Sequence, residues 1–291
     1  MARYVVIVTS DEHAGHRLGL CNPNAVLPAD NEVGRPEPAK PQLGPFQKLL
    51  WEYRVEQIEQ AKAFAGNDPI ILKNLGDMTH GRKHTDGLMT NRLADQVLIA
   101  RANAMHIVEA LKPTHVYMSA GTNAHTFGDA GSETLIAGFL KDKFPDLAVE
   151  LFYHGLVDID GVQIDYKHHG PGPGIRDWTR GNQVLYHLKD LIYRQRSLGE
   201  QPARIYLSGH YHSFVWITHH QEWDGELLTY DYITLPSYCG LGSYGHQATR
   251  SVQYQDFGLL AIEIVDGEVG RIKPIKKRLD IRSRSTVNDE S

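Results

Sequence analysis

The sequence predicts an α/β protein, a four-layer α/β/β/α sandwich of two mixed sheets flanked by helices, and three observations predict it. In the first half, short apolar runs rich in β-branched residues alternate with amphipathic helical stretches. Each of those runs stops at a cluster of Asp, Asn, Gly and His. The second half is dominated by period-two alternation, which supplies an antiparallel run of strands completing a second sheet.

Tyr4 to Thr9 is a continuous apolar strand of the kind covered on both faces, followed by Asp11, Glu12 and His13. Arg17 to about Pro45 is rich in Pro, Asn and Gly and reads as a long loop, either shaping a site or a surface insertion. Phe46 to Phe64 is an amphipathic helix stopped by Gly66-Asn67-Asp68-Pro69. The strand Ile70 to Leu72 ends at Asn74-Leu75-Gly76-Asp77. A helix from about Met89 to Leu111 precedes a third strand, His115 to Ser119, which ends at Gly121-Thr122-Asn123-Ala124-His125. Open α/β sheets build sites in this way, beyond the carboxyl ends of their strands.

Ser132 to Phe144 reads as a helix and Val149 to Phe152 as a strand. Val157 to Ile159 and Val162 to Tyr166 form a hairpin on the Asp160-Gly161 turn and deliver Lys167-His168-His169-Gly170. Gln183 to Arg194 is helical, and Arg204 to Leu207 is a strand ending at Gly209-His210-Tyr211-His212. Phe214 to Ile217, Leu227 to Ile233 and Leu259 to Ile264 are further strands. We read residues 1–270 as one domain with insertions at about 17–45 and 171–200, and 271–291 as a basic C-terminal tail.

The 291 residues carry a net charge of -5, so no global positive field marks a nucleic-acid binder. Two cysteines are too few for a disulfide framework, which points to a reducing compartment and a cytoplasmic location. No apolar stretch approaches the roughly 20 residues needed to cross a bilayer, so no membrane partner is expected; protein partners are not legible. The 16 histidines are the compositional oddity and direct attention to metal. Nucleophile-elbow and Gly-Lys-Ser/Thr motifs are absent, which argues against a serine hydrolase and a P-loop ATPase.

Alone, Asp11-x-His13 or Gly76-Asp77 means little, and two imidazoles at His210 and His212 would need partners for four nitrogens in a core. Together the blocks form an ordered series: Asp11-x-His13, Gly76-Asp77, the Gly121 to His125 cluster, His169-Gly170 and Gly209-His210-x-His212. In this series the sequence resembles the calcineurin-like metallophosphoesterase superfamily, over roughly residues 4 to 215. The resemblance implies two divalent metal ions, one held by Asp11, His13 and His212, the other by Asn123, His169 and His210, with Asp77 bridging. It implies His125 as the catalytic histidine that protonates the leaving oxygen. His154-Gly155 competes with His169-Gly170; the latter is preferred because it follows the hairpin, and His168 is left as a residue that points away or supports. The family run Gly-Asn-His-acid is here lengthened, and Thr126 stands where an acid would follow.

Mixed N and O ligands suit Mn, Fe, Zn or Ni, with Mn the first choice in vitro. Two cations about 3.5 to 4 Å apart activate water and neutralise phosphate charge. The expected function is metal-dependent hydrolysis of a phosphate ester, foremost a phosphodiester in a nucleic acid or nucleotide. The alternatives are a small-molecule or protein phosphomonoesterase and a non-catalytic metal-containing scaffold. Arg176, Trp178, Arg180 and His80 are candidates for binding the substrate's phosphate and base, or else ordinary surface and core residues.

Overall fold

Side-chain parity along the first strand sets the layers. In β1 (Arg3–Thr9), Val5 and Ile7 join a core shared with helices, whereas Val6 and Val8 join a core made of strands. A strand with two apolar faces must be covered twice, which is why it reads as an unbroken hydrophobic run. The computed structural model describes residues 3–125, 131–174, 176–249 and 252–283. Within it the chain runs through α1 (Pro45–Ala65), β2 (Ile70–Asn74), α2 (Leu93–Leu111), β3 (His115–Ser119), α3 (Ser132–Lys143) and β4 (Ala148–Phe152). There follow β5 (His154–Ile159), β6 (Val162–Lys167), α4 (Asn182–Ser197), β7 (Ile205–Ser208), β8 (Val215–Trp223), β9 (Glu226–Thr234), the short α5 (Ser243–Ala248), β10 (Tyr254–Val265) and β11 (Glu268–Asp280).

One sheet has the order β11-β10-β1-β2-β3-β4, the other β5-β6-β7-β9-β8. Both are mixed: β1 to β4 are mutually parallel, β10 lies antiparallel to β1 and β11 antiparallel to β10, while β6, β7 and β9 are parallel between antiparallel neighbours. Three cores separate the four layers. The first packs β1, β2 and β3 under α1, α2 and α3, with Ile58, Ile99, Ile107 and Ile136 buried. The second lies between the sheets and holds Val6, Val8, Ile71, Ile164, Leu207 and Ile233. The third packs Val184, Leu188 and Ile192 of α4 onto Tyr206 and Tyr232. This is the four-layer sandwich that the sequence pattern predicts.

Two expectations are corrected. The strand around Leu259 to Ile264 does not extend the second sheet; β10 pairs antiparallel with β1 in the first. Its burial runs without a break from Gln255 to Ile264, because Leu259 and Ala261 face the helices while Leu260 and Ile262 face the other sheet. Nor do residues 271–280 belong to a basic tail: they form β11, the edge strand beside β10. Four of its five cations are paired, Arg271 with Glu263, Lys276 and Arg278 with Asp256, and Lys277 with Glu56, while Lys273 lies over the Phe64 ring, which leaves charge where an exposed edge must discourage pairing. Residues 284–291 lie outside the described residues.

The 17–45 segment is mostly irregular, with one 3₁₀ turn at Asn31–Val33. Its start is nevertheless core, since Leu20 and Cys21 are fully buried. Its remainder is tied to α2, where Asn22 meets Asn103 and Arg35 makes a bidentate pair with Asp95.

Candidate metal centre

The carboxyl ends of β1, β2, β3, β6 and β7 converge, and their loops are stitched to one another by backbone bonds. Asp11 N–H donates to Gly76 O at 3.1 Å and His13 N–H to Asp77 O at 3.0 Å. The Gly209 N–H donates to His168 O, and the His210 N–H to the Asp11 carboxylate at 3.0 Å. So close a meeting demands glycine at two of the turns. A Cβ on Gly121 would stand 2.3 Å from Asp77 Oδ1, and one on Gly209 would stand 2.1 Å from Ser10 Oγ.

Two triads of side chains that could each hold an ion result, Asp11/His13/His212 and Asp77/His168/His210. In the first, His13 Nε2 and His212 Nε2 are 3.0 Å apart, and His212 Nε2 lies 3.4 Å from Asp11 Oδ1. In the second, His168 Nε2 lies 3.0 Å from Asp77 Oδ2, yet it is buried and makes no hydrogen bond of acceptable geometry. Asp77 stands between the triads, its Oδ2 4.0 Å from His13 Nε2 and 3.7 Å from His125 Nε2. A third triad, His13/His80/His125, shares His13 with the first.

The ring nitrogens are sorted by their outer partners. His212 Nδ1 faces Cys239 O at 3.1 Å, His168 Nδ1 faces Leu75 O at 2.5 Å, and His125 Nδ1 faces His80 O at 2.5 Å. A carbonyl accepts only, so each Nδ1 carries the proton, and in the neutral ring Nε2 keeps its lone pair for the interior. Facing lone pairs and an orphaned buried nitrogen beside carboxylates are what a divalent cation satisfies; this donor set fits one.

Electrostatics follow. Burial works to raise the Asp11 and Asp77 carboxyls, but the surrounding histidines, His13 and His212 for Asp11 and His168 for Asp77, hold both well below the usual range. Burial drives His13 down to about 3 and His210 to about 4. Burial also opposes charge on His168, yet Asp77 overrides it and lifts that ring to about 10.

Backbone conformation marks the same residues. Asp11, His13, Asp77, His210 and His212 all have φ between 46° and 73°, the left-handed region that L-residues with side chains avoid. Among the described residues the other non-glycine cases are Lys112 at a helix end and three aspartates, each followed by glycine.

The structure therefore brings together Asp11, His13, Asp77, His125, His210 and His212, all anticipated from the sequence. His169 is exposed, with its ring 4.4 Å from that of His210, and it is His168 that stands on Asp77. The reason is strand parity: Val162, Ile164, Tyr166 and His168 all face inward, so His169 must face out. Asn123 opens a 3₁₀ turn and is exposed, while it is Thr122 that reaches Asp77, its N–H donating at 2.7 Å and its hydroxyl lying 3.3 Å from both oxygens. Thr122 was missed although it follows Gly121 directly, the position closest to the strand end. Thr126 lies outside the described residues. His154 is exposed and paired with Asp165, on the far strand of the hairpin.

Of the other candidates, His80 is buried, with its ring nitrogens toward His13 and His84 O. Arg180 donates to Ser213 Oγ, next to His212. Trp178 is 81% exposed and Arg176 is exposed. Among the described residues no helix is long and apolar enough to cross a membrane.

No family model matches the chain, and no curated protein matches it. Among solved structures it is similar to an archaeal phosphodiesterase, at 13% identity and TM-score 0.38, covering 93% of this chain and 99% of that one. It is also similar to a metallophosphoesterase from Sphaerobacter thermophilus, at 11% identity and TM-score 0.32, covering 96% and 89%, and to a phosphopantetheinyl hydrolase from Mycobacterium tuberculosis, at 10% identity and TM-score 0.30, covering 85% and 93%. At such TM-scores these overlaps assign no activity. The chain's own features are more specific: two facing mixed sheets with Asp/His triads at their strand ends.

Proposed function

We propose that this protein hydrolyses a phosphate ester, foremost a phosphodiester of a nucleic acid or nucleotide, with two divalent cations held at its strand ends. One observation carries the reading: the Asp77 carboxylate lies between the triads, within 4.0 Å of ring nitrogens from His13, His125 and His168. Asp11, His13 and His212 would hold one cation, His168 and His210 the other, with Asp77 shared. When bound, the pair supplies an activated water and neutralises charge on the phosphate. Every other role falls to the protein. Thr122 fixes the Asp77 carboxylate through two donors, so its oxygens need not reorganise. His125, its Nδ1 anchored, turns Nε2 inward, and in its doubly protonated form it would protonate the departing oxygen from there. Arg180, beside His212, and the exposed Arg176 and Trp178 would receive the flanking phosphate and stack a base.

The test is hydrolysis of bis(p-nitrophenyl) phosphate beside p-nitrophenyl phosphate on metal-stripped protein reloaded with Mn, Ni, Zn or Mg. Diester turnover that depends on metal and disappears in Asp77→Ala and His168→Gln, but survives in His169→Gln, is the expected result. Turnover of the monoester alone would make it a phosphatase, and two bound metals without turnover a scaffold.

A further inference from the structure

The inward-facing lone pairs described above depend on what holds each ring from behind, and His13 differs from its neighbours. His212, His168 and His125 each donate Nδ1–H to a backbone carbonyl. Among the described residues His13 has no such carbonyl: its Nδ1 faces another imidazole nitrogen, His80 Nδ1, at 3.4 Å. The direction of that contact is fixed one step further out. His80 Nε2 lies 3.0 Å from His84 O, which can only accept. His80 therefore carries its proton on Nε2, and its Nδ1 is an acceptor. The proton between the two rings must sit on His13 Nδ1, which leaves His13 Nε2 bare toward Asp11 and His212.

We infer that His80 is a positioning residue whose imidazole sets the tautomer and ring orientation of His13, through the chain His84 O, His80, His13. The inference rests on the metal-dependent reading above, and it replaces the phosphate contact expected of His80 from the sequence. Several features support a supporting role. His80 is buried, its ring packs 4.4 Å from His16 and 5.5 Å from His13 between centroids, and both ring nitrogens have partners within the protein. His80 also acts through its backbone, because its carbonyl accepts from His125 Nδ1. One residue thus orients a ring of the first triad with its side chain and the proposed general acid with its main chain. At 3.4 Å the ring-to-ring bond is longer than an ordinary N–H···N bond, so it is the weakest support among the four rings and the one most exposed to mutation.

Two variants separate this role from bulk. In His80→Asn the amide oxygen occupies the place of Nδ1 and can accept the same proton, whereas His80→Ala offers no acceptor. Removing an outer partner of a ligating histidine typically costs 10- to 100-fold in metal affinity. The experiment is Co²⁺ titration of the metal-free protein, together with ¹⁵N-imidazole NMR of the same sample, His13 being assigned by its loss in His13→Gln. Expected are the Nδ1–H tautomer for His13 in the wild type, a loss of about 10- to 100-fold in affinity for one of two Co²⁺ equivalents in His80→Ala, and recovery to within about threefold in His80→Asn. An Nε2–H tautomer of His13 in the wild type would overturn the inference, and the NMR decides this even if the alanine variant fails to fold. Unchanged affinity in His80→Ala, or an asparagine variant as weak as the alanine one, would also overturn it. So would a third Co²⁺ equivalent lost with His80, which would make it a ligand. Failure of the wild type to take up any Co²⁺ would instead remove the metal-dependent reading, and the tautomer would still report on the His80 contact.

Discussion

Glu12 sits between two proposed ligands, and its side chain goes the other way, into a fully buried pair with Arg54 of α1. Arg54 donates to Glu12 Oε1 at 2.9 Å and to Thr9 Oγ1 at 3.0 Å, and its guanidinium lies 4.6 Å from the centre of the Tyr238 ring. Burial pushes the Glu12 carboxyl up, against the pull of Arg54. Consider Arg54→Met, which keeps the packing volume and removes the charge. Glu12, left alone in the core, takes up a proton in the folded state, because an unpaired buried carboxylate is costlier still. Holding protonated at pH 7 a carboxyl whose ordinary pKa is 4.5 costs about 3.4 kcal/mol, and at pH 5 about 0.8 kcal/mol. With an unfolding entropy of about 2.1 cal/mol/K per residue, the 291-residue chain loses at most about 6 °C of Tm at pH 7 and at most about 1 °C at pH 5, on top of a pH-independent part from Thr9 and Tyr238. The sign follows because the unpaired carboxyl keeps its proton where the paired one ionises: the deficit opens above the wild-type Glu12 pKa, which burial places above 4.5, and grows with pH from there. Calorimetry of the wild type, Arg54→Met and Arg54→Met/Glu12→Gln between pH 5 and 7.5 measures it. The double variant should show no pH-dependent deficit. An Arg54→Met deficit equal at pH 5 and 7 would refute the reasoning.

Three further outcomes are expected. In metal-free protein His168 is protonated up to about pH 10 while His13 and His210 are neutral above about pH 4. Metal uptake must therefore expel the His168 proton, and calorimetry in two buffers of different ionisation enthalpy at pH 8 should register at least one proton released; none would contradict the assignment. Lys73 is buried without a hydrogen bond between the rings of Tyr166 and Tyr117, at 3.9 and 4.6 Å, and burial lowers it to about 7. Its folded value lies below its unfolded one, so its penalty is full below pH 7 and vanishes by about pH 10.5. Lys73→Met should then stabilise the fold by about 2 kcal/mol at pH 7, the ring contacts offsetting part of the desolvation, with the gain fading toward pH 10; urea titrations at both pH values check this. Gly121→Ala, whose methyl would strike Asp77, should abolish metal uptake while Gly138→Ala, on an open helix face, leaves it intact.

How much of this was legible depends on which physical rule each residue obeys. Strand parity is visible in sequence, and it carries β1, β6 and the layers they bound. Extended by one step beyond Tyr166 it also selects His168 over His169, a choice that a motif based on His-Gly spacing reverses. The place of β10 was not legible, because an apolar strand covered on both sides fits the middle of either sheet, and only pairing with β1 decides. Nor was β11: its Lys and Arg residues look like a solvated tail until Asp256 and Glu263 on the neighbouring strand are seen to face them. Thr122 and His80 share a different obstacle. Their importance lies in the atom each offers to another side chain, a relation of three-dimensional direction with no counterpart in spacing.

The left-handed backbone at Asp11, His13, Asp77, His210 and His212 was equally hidden, and it bears on what metal does for the fold. At about 1 to 2 kcal/mol per residue, five such conformations cost about 5 to 10 kcal/mol, as much as the whole net stability of an ordinary domain. Hydrogen bonds between the loops hold the residues there, but in metal-free protein they also hold ring nitrogens that face each other across Asp11. A ligand that binds only this arrangement must stabilise it by mass action, about 2.7 kcal/mol per site at a hundredfold excess over Kd. For a chain of this length each site then raises Tm by about 4 °C, and two by about 9 °C. Scanning calorimetry with chelator and with saturating Mn²⁺ should show that rise in the wild type and less than half of it in Asp77→Asn, whose amide cannot serve both triads as a carboxylate does. An equal rise in Asp77→Asn would mean that the cation binds elsewhere and that the strained strand ends serve some other purpose.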